Sequence, residues 1–108
     1  MTISLGFSTI YQGWAPTAAA AIVTNSTTGQ LILTVAFNNR SGSTVQLYCY
    51  KNTAADPFGW GGPQPLPVQA GYSGVYNRRI LGPSDTLFIY ASAAAAIALD
   101  VTGYAEAT

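Results

Sequence analysis

Charge is what this sequence has least of. Four Lys plus Arg and four Asp plus Glu make up 7% of 108 residues, and the net charge is zero; an ordinary soluble domain carries roughly 25% charged residues. Without a clustered positive field there is nothing to grip a phosphate backbone or an anionic lipid surface, so neither nucleic acid nor membrane is expected as a partner. Histidine is absent, which removes the commonest general base and the commonest transition-metal ligand. The single cysteine, Cys49, excludes an intrachain disulfide and a thiolate cluster. With no His to activate it, its thiol is expected as a small apolar group in the core. The apolar run at residues 18–23 is far shorter than the roughly 20 residues of a membrane span, and residues 1–11 carry no positive leader, so no export signal or transmembrane segment is expected.

The acids are as sparse as the bases. Asp56, Asp85, Asp100 and Glu106 are scattered, so paired-carboxylate catalysis and an oxygen-ligand Ca²⁺ loop have little to build on. Gly59, Gly61 and Gly62 precede prolines and do not open a helix, which excludes a phosphate-cradling loop. The chain reads as non-enzymatic, with no cofactor.

What is present is alternation of period two. Ile3, Leu5, Phe7 and Tyr11 alternate with small polar residues, and residues 30–38 place Leu31, Leu33, Val35 and Phe37 on one face with Ile32, Thr34 and Ala36 on the other, as in a central strand. Residues 38–43 read as a hairpin turn whose return strand is 44–51, with Val45, Leu47 and Cys49 facing in and Gln46, Tyr48 and Tyr50 facing out. Residues 52–67 are a long Gly and Pro loop. A shorter strand pair is expected at 68–69 and 74–81, followed by a turn at 82–85, and strands at 86–91 and 97–104 face each other across an Ala-rich hairpin. Seven or eight short strands without a convincing helix predict one all-β domain over 1–108: an antiparallel two-sheet β-sandwich, jelly-roll or immunoglobulin-like, with a small barrel as runner-up.

Thirteen aromatic residues on so uncharged a chain need a place. Tyr48, Tyr50, Tyr90 and Tyr104 fall on strand faces shared with Gln and Thr and would be exposed in a monomer, which makes them candidate interface residues. Phe58 and Trp60, in the Gly and Pro loop, either tuck onto their own domain, contact another subunit, or form a sugar-stacking platform. Arg78 and Arg79 are adjacent in a strand and point to opposite faces. Either both heads reach solvent over apolar surface or one guanidinium pairs with a carboxylate of a neighbouring subunit. A neutral, ring-bearing surface tends to associate, so the chain is expected to be covered by copies of itself or by a larger partner.

The run from Ile80 through Gly82, Pro83, Ser84 and Asp85 to Ala94, with its continuation Ala96 to Tyr104, resembles the closing hairpin of small β-sandwich virion proteins of tailed bacteriophages. The 38–48 segment resembles the central hairpin of the same family. The resemblance covers about half the chain and implies a structural role without catalytic residues: a capsid cement or decoration protein bridging capsomers, acting as a homotrimer or other ring with a major capsid protein. Assembly would occur in the host cytoplasm. A tail, baseplate or fibre component is the alternative within the virion, and a carbohydrate-binding module the alternative outside it.

Overall fold

In the computed structural model of the chain, residues 3–4, 8–53 and 65–107 are described. They form nine strands: β1 (Ile3–Ser4), β2 (Ser8–Trp14), β3 (Ala20–Thr24), β4 (Gln30–Asn39), β5 (Val45–Lys51), β6 (Leu66–Val68), β7 (Ser73–Leu81), β8 (Thr86–Ala91) and β9 (Ile97–Ala107). Two antiparallel sheets result. Sheet A runs β2-β9-β4-β7, with β1 on the same edge of β9 as β2, and sheet B runs β3-β8-β5-β6. The expected all-β sandwich is therefore present, and no described residue is helical.

The pairing is nested. β5 pairs with β6, β4 with β7, β3 with β8 and β2 with β9, while β4·β9 and β5·β8 join these pairs sideways. A long hairpin rolled up in this way is a jelly roll, which settles the choice among jelly roll, immunoglobulin-like sandwich and barrel.

Three predicted local pairings are corrected by this topology. β4 and β5 do not form a hairpin across residues 38–43, β8 and β9 do not form one across the Ala-rich turn, and β6 and β7 are not partners. Each of these connections passes from one sheet to the other. Alternation specifies which face a residue takes but not which strand lies beside it. A turn of four or five residues spans the ~10 Å between sheets as readily as it reverses within one. The Ala-rich connection is a tight turn, with Ala95 at a φ of 48°. β3 escapes the periodicity reading because it is a short edge strand of five residues, Ala-Ala-Ile-Val-Thr, with a bulge between Ala21 and Val23 that breaks the alternation.

The core fills the space between the sheets. Leu33, Val35 and Phe37 of β4 meet Leu47 and Cys49 of β5, joined by Leu87 and Ile89 of β8 and by Ile97, Leu99 and Val101 of β9. β4 is the central strand its two-sided apolar pattern predicts, paired with β9 on one side and β7 on the other.

Candidate functional site: the two outer sheet faces

On the outer face of sheet B, β5 and β8 place Tyr48 opposite Tyr90 and Tyr50 opposite Phe88. The Tyr48 and Tyr90 rings stack with centroids 4.3 Å apart and planes 5° from parallel. Tyr50 and Phe88 stack at 5.3 Å, and Tyr50 meets Tyr90 edge-on at 6.4 Å. Four rings thus form one continuous cluster, of the kind that adds about 0.5–1.5 kcal/mol per pair beyond area burial. Three of the predicted interface residues are brought together here. Phe88 completes the cluster although the sequence reading did not single it out. The rings also shelter one another: Tyr50 is only 8% exposed, against the expectation of an exposed ring, while Tyr48, Phe88 and Tyr90 are half-buried. Burial, with the neighbouring phenols of Tyr48 and Tyr50, raises the pKa of Tyr90.

The outer face of sheet A is different. Its register sets Gln12, Asp100, Ala36 and Val75 in one row across the four strands and Trp14, Ala98, Asn38 and Ser73 in the next. Because Ala36 and Ala98 are small, the middle of the sheet is recessed between Trp14 on β2, 46% exposed, and Val75 on β7, 54% exposed. The recess is an open groove of about 520 Å³ that also reaches Arg40. The Asn38 amide is held at its rim, donating to Ser73 Oγ at 2.6 Å. Asp100 Oδ1 is buried and has no hydrogen-bond partner among the described residues. Further along the same face, Ile32 lies between Tyr104 and the exposed Ile80. Tyr104 is therefore on the opposite sheet from the other three predicted tyrosines.

The two arginines do take opposite faces, through a bulge. β7 has Asn77 and Arg78 between the pairs Val35↔Tyr76 and Leu33↔Arg79, with Arg78 at a φ of 50°. Arg78 is exposed. Arg79 is half-buried, at the register position of the inward-facing Leu33. Its guanidinium lies 5.5 Å from the Tyr76 ring centroid, and its Nε is buried without a partner among the described residues. Beneath it, burial pushes the Cys49 thiol up to about 12, with Arg79 opposing, and the Tyr76 phenol rises to about 12 for the same main reason. A thiol held this far above neutrality is an inert core group, as the sequence reading expects.

Phe58 and Trp60, like Asp56, lie outside the described residues. Among the described residues no three His, Cys, Asp or Glu side chains come together as a metal site. Asp85 sits in the β7–β8 connection, accepting from Gly82 N at 2.9 Å and from Asn52 Nδ2 at 3.0 Å. Gln12, Trp14, Asn38 and Arg40 were not singled out from sequence. Gln12 and Trp14 do share a period-two face, and that was the available signal. The chain matches no family model, no curated protein and no solved structure.

Proposed function

We propose that this chain is a non-enzymatic structural component of a bacteriophage virion, a capsid cement or decoration protein whose copies assemble through the outer face of sheet B. The observation that carries this reading is the four-ring cluster of Tyr48, Tyr50, Phe88 and Tyr90 on a chain with zero net charge. Aromatic rings with polar tips hide area at small entropic cost, and a chain with few charges and none in net has little electrostatic repulsion to keep copies apart. The jelly roll is an architecture of viral capsid and lectin domains, which supports the reading by analogy only. In function, each copy would bridge neighbouring capsomers and hide more than about 1,000 Å² in doing so. The load would fall on many contacts at once.

Size-exclusion chromatography with light scattering tests the assembly. A homotrimer or other closed ring is expected at micromolar concentration. Tyr48→Lys with Tyr90→Lys is expected to give a folded monomer. A wild-type chain that stays monomeric at millimolar concentration, with its tyrosines open to solvent probes, would overturn the proposal. Co-sedimentation with purified capsids against purified tails then separates the cement reading from a tail, baseplate or fibre role.

A further inference from the structure

We infer that the outer face of sheet A is a second self-contact, packing against the same face of another copy about a two-fold axis. It lies on the sheet opposite the proposed assembly face and does not depend on that reading. The large hydrophobic side chains that stand most open among the described residues, Trp14, Tyr72, Val75 and Ile80, all lie on sheet A or in the turn that enters β7. Trp14, Ala98, Ala36 and Val75 run diagonally across all four strands, through the groove. Diagonal neighbours on adjacent strands are within side-chain reach, so the four make one apolar strip. The polar groups along it are engaged or enclosed: Asn38 Nδ2 donates to Ser73 Oγ at 2.6 Å and to the Tyr72 carbonyl at 3.4 Å, and Asp100 Oδ1 is buried. An incoming surface therefore meets carbon at the centre and Gln12 and Arg40 at the rim, the anatomy of a protein contact.

A second copy is the occupant because the face is its own complement. A two-fold contact needs one patch to supply both a projection and the hollow that receives it. Trp14, 46% exposed, projects from β2, held where Tyr11 Oη donates to its carbonyl at 2.9 Å. Beside it, the floor of Ala36 and Ala98 leaves a groove of about 520 Å³, room for an indole. Each copy then gives one indole and takes one. With no net charge, little repulsion opposes the pairing. The other route between copies, strand addition at a sheet edge, is blunted among the described residues: β2, β3 and β7 carry bulges, and β1 and β6 are two and three residues long, β6 with Pro67 at its centre. From the row of Trp14 to the row of Tyr104, the four strands present about 500 Å² to a flat partner, so a pair hides about 1,000 Å², the low end for a specific interface. The contact is weak alone and gains strength where another interface already holds copies together.

Sedimentation equilibrium of the full chain carrying Tyr48→Lys and Tyr90→Lys, a parent from which contacts through sheet B are removed, tests the inference. A monomer at micromolar concentration that becomes a dimer towards millimolar is expected. Trp14→Ala removes the projection and Ala36→Arg fills the hollow; each should weaken the dimer about tenfold or more while leaving the circular dichroism of the fold unchanged. Mixing the two variants should restore dimers in part, because the indole of the Ala36→Arg copy finds the open groove of the Trp14→Ala copy. A side chain needed only for folding cannot produce that rescue. The inference is overturned if the parent stays monomeric at millimolar concentration, if its dimer withstands both substitutions, or if mixing restores nothing. It is also overturned if Trp14→Ala leaves self-association intact and abolishes binding to purified capsids, which would make a capsid subunit the occupant. Failure of the sheet B reading would show separately, as a wild-type chain no larger than the parent at micromolar concentration.

Discussion

Asn25, directly after β3, and Asn39, the last residue of β4, make the same four side-chain hydrogen bonds. Asn25 Nδ2 donates to the carbonyls of Gly29 and Leu81, both at 2.9 Å, and its Oδ1 accepts from Thr27 N and Thr27 Oγ1 at 3.0 and 2.7 Å. Asn39 Nδ2 donates to Ser43 and Val68 carbonyls at 2.9 and 2.8 Å, and its Oδ1 accepts from Ser41 N and Ser41 Oγ at 2.9 and 2.7 Å. Each side chain is fully buried and fully satisfied. The backbones match as well: Asn25 exchanges hydrogen bonds with Ser84 and Asp85, and Asn39 with Gly71 and Tyr72. Each asparagine therefore ties a connection beside β4 to a neighbouring connection, β3–β4 to β7–β8 at one end and β4–β5 to β6–β7 at the other.

Replacing either residue should be severe. Asn25→Ala or Asn39→Ala strands two buried carbonyls and unties two connections, and should lower stability by about 3 kcal/mol or more. Asn39→Asp should be at least as damaging at neutral pH, because a carboxylate oxygen would face the carbonyls of Ser43 and Val68. Urea denaturation followed by tryptophan fluorescence measures this. A loss below about 1 kcal/mol for both alanine variants would contradict the account.

Gly103 sits on β9 where a Cβ would come within 2.6 Å of the Ile32 carbonyl oxygen and 2.8 Å of Leu33 Cδ2. The first of these atoms is backbone and cannot swing away. Gly103→Ala should therefore force β4 and β9 apart and lower the urea midpoint by the equivalent of about 1–3 kcal/mol. Gly42→Ala, with open space around its Cβ position, is the matched control and should change little.

Stability should fall on the alkaline side. The ordinary values of Cys49 and Tyr76 are 9.0 and 10.0, and burial raises both to about 12 in the folded chain. Between those limits the folded state holds protons that the unfolded state has released, so the stabilisation is complete below pH 9 and is lost as pH rises towards 12. Cys49→Ala should delay the onset to the Tyr76 range. Native Cys49 should resist a soluble disulfide reagent at about pH 8 and react at once in denaturant. Asp85 has the opposite sign. The Asn52 amide above all, with Gly82 N–H and Lys51 adding to it against desolvation, lowers its pKa, so its contribution is present above the ordinary carboxylate range and fades as pH falls.

The Tyr48–Tyr90 stack makes a separate prediction. A double-mutant cycle with Tyr48→Ala and Tyr90→Ala, measured at a dilution where the chain is monomeric, should give a coupling of about 0.5–1.5 kcal/mol. A coupling near zero would mean that the rings serve assembly alone and add nothing to the fold.

Strand faces were legible in the sequence and strand partners were not. Leu33, Val35 and Phe37 against Thr34 and Ala36, or Leu99 and Val101 against Asp100 and Thr102, announce their sides because a strand alternates with period two. Whether residues 39–44 turn back within a sheet or arch over to the other depends on where the distant β7 and β9 lie, and alternation carries no such information. The Asn-x-Ser/Thr triplets at 25–27 and 39–41 are the local trace of the arches. They match the pattern of a glycan acceptor, yet here both asparagines are enclosed. The aromatic face of sheet B was legible in Tyr48, Tyr50 and Tyr90 because it needs only two alternating strands. The groove of sheet A was not, since Gln12, Asp100, Ala36 and Val75 become neighbours only through the register of four strands.

The nested pairing has a kinetic corollary. The β2 and β9 ladder joins segments nearly a whole chain apart, whereas β4 and β7 are much closer in sequence. Closing a longer loop costs more entropy, and contacts between remote segments slow folding. Trp14 reaches its station beside Ala98 only when that remote ladder closes. A chain whose β2 has yet to dock already possesses the inner pairs but has no indole wall, so the recess is absent until the β2 and β9 ladder has formed.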